Sequence, residues 1–90
     1  MSKVAMPVGR RVRGMAGDAR LYRLNEPLGG YQYVVVSAVD ERPAYRVYET
    51  YIFGADHTGK VLHWGELEGS YKGGADHEEA LRGAGYEVAS

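Results

Sequence analysis

The run Tyr31-Gln-Tyr-Val-Val-Val-Ser-Ala-Val-Asp40 constrains the fold of this chain more than any other segment. Aromatic and β-branched residues suit a pleated, extended backbone. In a strand, Tyr31, Tyr33, Val35 and Val39 share one side, while Val34, Val36 and Ala38 share the other. Both sides are apolar in the middle, so this strand is expected at the centre of a sheet with cover above and below. The remainder of the chain must supply flanking strands and a second layer.

The neighbouring segments read as that supply. Ala19–Leu24 alternates as a short strand, and Asn25–Gly30 turns the chain with Pro27 and the Gly29-Gly30 pair. Residues Asp40–Ala44 turn it again. Tyr45–Phe53 is a second long strand. Its better core face is expected to be Tyr45, Val47, Glu49, Tyr51 and Phe53, with Arg46, Tyr48, Thr50 and Ile52 directed outward. Ala55-Asp-His-Thr-Gly-Lys60 is a hairpin signal, since Asp56 can close a turn through its carboxylate and Gly59 can turn left-handed. Val61–Leu67 then returns as the partner strand. After a loop over residues 69–74, Asp76 is the expected N-cap of a short helix. Glu78 and Glu79 sit in its first turn, Ala80, Leu81 and Ala84 face inward, and Gly85 ends it with Tyr86 folding back. The predicted fold is α+β: a three- to four-stranded antiparallel meander with one short C-terminal helix packed on it, over residues 19–90.

Residues 1–18 show no apolar periodicity, and Pro7, Gly9, Gly14 and Gly17 interrupt every candidate element, so a flexible N-terminal arm is expected. Met6 and Met15 are alternative starts. The arm is basic. Residues 1–20 carry Lys3, Arg10, Arg11, Arg13 and Arg20 against Asp18 alone, whereas residues 21–90 carry six basic and eleven acidic groups. The absence of cysteine excludes disulfides, thiolate nucleophiles and zinc–thiolate sites, and points to a reducing cytoplasm. Val34–Val36 with its neighbours is far shorter than the roughly 20 apolar residues that span a bilayer. No apolar stretch follows the basic N-terminal residues, so a secretory leader is not expected.

Catalytic chemistry finds little support. His57, His63 and His77 lack metal-ligand spacing, and Asp76-His-Glu-Glu79 is also what a capped helix start looks like. Glu49 can face Glu66 or Glu68 across a hairpin, but acids on a solvated sheet face are the ordinary reading, and a short chain has little room for a deep pocket. Ser37 and Ser70 have no Gly-x-Ser-x-Gly setting. Gly73-Gly74 precedes the helix, yet the acids at 76, 78 and 79 occupy the place a phosphate would take. The expectation is no enzyme, no cofactor and no metal. Eight tyrosines against one Phe and one Trp favour half-buried faces and interfaces. Tyr48, Tyr51, Trp64 and Tyr71 are the candidate protein-binding residues, Tyr48 foremost, on a tyrosine-rich sheet face or an open strand edge. The alternative is nucleic-acid binding by Arg10, Arg11 and Arg13, which can neutralise phosphates but lack interleaved aromatics.

The run Glu49-Thr-Tyr-Ile-Phe-Gly-Ala-Asp56, with Gly59, Val61, Trp64-Gly-Glu-Leu67, Gly69-Ser70, Asp76-His-Glu-Glu-Ala-Leu81 and Ala84-Gly-Tyr86, resembles a group of small actinobacteriophage proteins of unassigned function. The resemblance spans about residues 20–88 and carries no catalytic motif. It implies a phage accessory protein made in the cytoplasm of a host cell, binding a host or phage protein or a second copy of itself. No functional residue transfers from it.

Overall fold

The computed structural model describes residues 3–12, 17–40 and 48–89, with Arg10 and Arg11 described by their backbone alone. Residues 41–47, which hold the expected second turn and the start of the second long strand, lie outside the described residues, as does Arg13.

The chain runs β1 (Lys3–Arg11), β2 (Asp18–Leu28), β3 (Tyr31–Asp40), β4 (Tyr48–Ala55), β5 (Val61–His63), β6 (Tyr71–Lys72), α1 (His77–Gly83) and β7 (Tyr86–Val88). This is an α+β domain built mostly of sheet. The predicted meander is present as β2–β3–β4, antiparallel throughout, with Leu21 opposite Val35 and Val35 opposite Phe53. It forms the middle of a larger sheet of seven strands ordered β5-β4-β3-β2-β1-β7, with β6 pairing separately on β4. The sheet is mixed, because β7 runs parallel to β1, and it curls into a half-barrel. A three- to four-stranded antiparallel sheet is therefore too small. Strands of two or three residues, such as β5, β6 and β7, are too short to display a period.

The largest correction concerns the N-terminus. Lys3–Arg11, expected within a flexible arm over residues 1–18, is strand β1, held between β2 and β7. Ala5, fully buried, pairs with Leu24 on one side and with Val88 on the other. Pro7 is tolerated for a geometric reason. Ala5 turns its carbonyl outward to Ala89 N (2.9 Å), so Pro7, two residues on, also turns its nitrogen to the outer side, where no bond to β2 is lost. Gly9 falls in the register irregularity between Pro7 and Arg11. The breakers mark a bulged strand beside an open edge rather than a loop.

Helix α1 follows the sequence closely. Asp76 caps it, its carboxylate accepting from Glu78 N (3.0 Å) and Glu79 N (3.2 Å). Glu78 and Glu79 lie in the first turn and Arg82 in the last, complementing the helix dipole. At two turns, α1 cannot stand alone in water and depends on its seat. Ala80 and Leu81 are fully buried against Val34, Val36, Ile52, Tyr22 and Leu24. Burying a leucine side chain contributes about 1.5–3 kcal/mol. Tyr86 opens β7 and buries its ring in the same cluster, its hydroxyl donating to Glu26 O (2.6 Å). At the helix start, His77 Nε2 lies 2.6 Å from Asp18 O and donates to it, tying α1 to β2.

The buried side of β4 is the reverse of the expected one. Thr50 and Ile52 are fully buried under the helix layer, while Tyr51 and Phe53 on the opposite side are half-buried. Thr50 explains the choice. Its hydroxyl donates to Gly74 O (2.7 Å) and accepts from Asp76 N (3.1 Å), so a polar side chain on the covered side becomes the joint between sheet and helix cap. A second cluster on the opposite face, Ala19, Leu21, Val35 and Ala55, is covered in part by Val12, Tyr33 and Val61. The hairpin turn between β4 and β5 forms as expected. Asp56 Oδ1 accepts from Thr58 N (2.9 Å), Thr58 Oγ1 (2.5 Å) and Lys60 N (3.0 Å), and Gly59 sits at φ 92°. Those hydrogen bonds, led by the Thr58 hydroxyl, hold the Asp56 carboxyl below its ordinary range.

Among the described residues no helix is long and apolar enough to cross a membrane.

Candidate protein-binding face

The outer edge of β4 is closed along its length, which leaves the sheet's faces as the surfaces to consider. Gly54 and Ala55 pair with β5, and Glu49 and Thr50 with β6. Between them Ile52 N donates to Ser70 Oγ (2.8 Å) and Ile52 O accepts from Leu67 N (2.9 Å). Tyr48 O accepts from Gly73 N (2.7 Å). Strand-edge binding at β4 has no free backbone groups at these positions to use.

On the face away from α1, three rings form a continuous strip. Tyr51 and Phe53, two residues apart on one side of β4, stack with centroids 6.0 Å apart and planes 23° apart. Phe53 meets Trp64 at 5.3 Å and 58°. Both spacings fall within the range where aromatic pairs attract. The backbone after β5 creates this arrangement. The expected partner strand Val61–Leu67 stops at His63, where Gly65 N donates to His63 Nδ1 (3.1 Å) and the imidazole lies against Gly65. The chain leaves the ladder there and lays Trp64 over Phe53. Trp64 is 64% exposed and nearby Leu62 54% exposed, although an indole normally contributes to a core when one is available.

The candidate residues fall into two groups. Tyr51 and Trp64 come together in the strip. Tyr48 and Tyr71 do not join it. Tyr48 is half-buried on the same side of β4 as Thr50 and Ile52, opposite to Tyr51 and Phe53. Tyr71 lies opposite Thr50 and packs against the core, its hydroxyl buried without a hydrogen-bond partner among the described residues. Phe53, which links Tyr51 to Trp64, is not among the sequence candidates although it shares the face of Tyr51. Its place two residues after Tyr51 was the available signal.

Tyr71 yields a test of its own. A buried, unpaired hydroxyl carries a desolvation cost of about 1–3 kcal/mol. Tyr71→Phe is therefore expected to raise unfolding stability by about 1 kcal/mol in urea melts monitored by circular dichroism. A loss of similar size shows that the hydroxyl is bonded and the packing assigned to Tyr71 wrong.

Among the described basic residues, Arg10 and Arg11 lie in a strand and not in a free arm. Arg10 and Arg11 end β1, Arg11 opposite Arg20, whose guanidinium is 2.8 Å from Asp18 Oδ2. The histidines are spread over different elements, and among the described residues no three His, Asp or Glu side chains gather as a metal site. His57 meets Tyr33 edge-on at 6.4 Å.

In comparisons with known proteins no family model matches the chain, and no curated protein or solved structure matches it.

Proposed function

We propose that this chain is a non-enzymatic interaction protein that engages a protein partner through the Tyr51–Phe53–Trp64 strip. A phage accessory role, binding a host protein or a second copy of itself, agrees with the resemblance over residues 20–88. The observation that carries the reading is the exposed Trp64 packed at a tilt against Phe53. Tryptophan and tyrosine dominate binding hot spots because they bury large areas with few rotamers to freeze. The packed ring is already held in one orientation, which lowers the ordering cost of association. Glu49 shares this side of β4, and Glu66 follows Trp64 two residues on. Acids beside the strip favour a protein partner over a phosphate backbone. With Arg10 and Arg11 in a paired strand, the nucleic-acid reading loses the extended arm it relied on.

The single tryptophan reports on its own interface. Affinity capture from the bacterial host is expected to retain a partner with the wild-type chain and lose it with Trp64→Ala. Binding should shift tryptophan emission to shorter wavelength as the indole leaves water. For self-association, sedimentation should show a dimer that Trp64→Ala converts to monomer. Folded Trp64→Ala protein with unchanged capture and unchanged sedimentation removes the strip as the binding surface.

A further inference from the structure

A second surface lies toward the opposite edge of the sheet, on the same face as the strip, and asks for a different partner chemistry. β7 pairs with β1 only at Lys3, Val4 and Ala5. Among the described residues nothing pairs with the outer edge of β1 from Met6 to Arg11. Beside this strand an open groove of about 310 Å³ is lined by Met6, Pro7, Val8, Arg23, Tyr33 and His57. Met6 is 46% and Val8 39% exposed, two of the large apolar side chains left on the surface. Arg23 is exposed on the row that runs from Met6 across β2 to Tyr33. It makes no ion pair or hydrogen bond among the described residues, unlike Arg20 with Asp18 or Arg82 with Glu78. Among the described residues no acidic side chain lines the groove.

An occupant that satisfies all these groups has three properties. Its backbone is extended, to pair with the open edge. It carries apolar side chains for Met6 and Val8. It carries a carboxylate for Arg23, whose planar fork accepts one in two parallel hydrogen bonds. We propose that the β1 edge and its groove bind an extended acidic–hydrophobic segment of a partner protein by strand addition, with a carboxylate seated on Arg23. The main chain supplies affinity and the alternate side chains supply specificity, as in other edge-strand complexes. The charge of β1 selects the partner. Lys3, Arg10 and Arg11 lie along it, so a second β1 brought alongside meets like charge, whereas an acidic strand meets opposite charge. Pro7 withholds one donor from the edge, a device that limits indiscriminate pairing.

The test uses the full chain and two fluorescein-labelled peptides, Val-Thr-Glu-Thr-Val-Thr and Val-Thr-Lys-Thr-Val-Thr, whose alternate positions bring valine and the charged residue to one face, with anisotropy for affinity and amide chemical shifts for location. The glutamate peptide should bind and shift the Met6, Val8 and Gly9 amides, and the lysine peptide should not. Arg23→Glu should weaken binding by about tenfold or more, Arg23→Gln by less, and Trp64→Ala not at all. The last arm separates this site from the aromatic strip, so either can fail alone. The proposal is overturned if the glutamate peptide does not bind, if both peptides bind alike, or if Arg23→Glu has no effect. Tighter binding of a labelled oligothymidylate at the same amides assigns the surface to nucleic acid and overturns it equally.

Discussion

Gly69→Ala is expected to lower unfolding stability by about 2–5 kcal/mol, the sum of a left-handed backbone cost and a forced displacement of packed atoms. Gly69 has φ 102°, and a Cβ there would lie 2.5 Å from Ala80 O and 2.9 Å from both Ala84 Cβ and Ile52 Cδ1. The first two contacts belong to α1 and its C-cap, the third to the sheet. The loop before β6 is wedged between the layers at Gly69, which has no side chain. Adding a methyl group must push α1 outward and expose Leu81, or push Ile52 into a worse rotamer. Against a typical total of about 5–15 kcal/mol the loss is severe. Gly73→Ala is the control. It has φ 92° but nothing within 4 Å of the added Cβ, so it should bear only the backbone cost of about 1 kcal/mol. Thermal and urea melts of the two variants compare the terms directly. Equal losses would show that the layers do not close on Gly69 as described.

Thr50→Val should cost about 2–4 kcal/mol although it nearly preserves shape and volume. The substitution leaves Gly74 O and Asp76 N, both joined to the Thr50 hydroxyl, without that partner. A buried group deprived of its hydrogen bond costs about 1–3 kcal/mol. Asp76 is also the N-cap, so its loss of position should fray the first turn of α1. Thr50→Ser keeps the hydroxyl and gives up one methyl, for a cost of about 1 kcal/mol. Amide exchange at Glu78 and Glu79 adds a local readout, because their N–H groups bond the Asp76 carboxylate. Valine tolerated better than serine would mean that packing, not the hydroxyl, holds this joint.

Both experiments bear on the layer boundary, where the buried side of β4 is the reverse of the one expected. Tyr51 and Phe53 are larger and more apolar in body than Thr50 and Ile52, so alternation alone assigns them to the core. The covered side is instead chosen by α1, and α1 is docked through a hydrogen bond that only Thr50 is placed to make. With that side fixed, the period of two in β4 turns Tyr51 and Phe53 to the opposite face and leaves them half-buried. Trp64 joins them because Gly65 and His63 end β5 early. Tyr48, the leading candidate in sequence terms, falls on the other side of β4 from the strip by the same inversion. Tyr51 and Trp64 are among the sequence candidates, and Phe53, which connects them, is not.

β1 was hidden for a related reason. A strand paired on both flanks at Ala5 and bulged beyond it needs no long apolar alternation, since Ala5 and Val4 suffice where two neighbours cover them. Pro7 and Gly9 look like breakers to any local rule, but they stand where the outer edge is open.

What the chain determined by itself was local: the two-sided strand Tyr31–Asp40, the Asp56 turn with Gly59, and the Asp76 cap with Gly85 just past the helix. Each rests on contacts within a few residues, so their information is contiguous. The tertiary structure decided the size of the sheet, the place of β1 between β2 and β7, and the side of β4 that faces water. Those outcomes depend on residues far apart in the chain meeting, as Lys3 meets Tyr86 and Thr50 meets Asp76. Such meetings are selected by the burial and hydrogen bonding of the whole domain, which no short window of sequence contains.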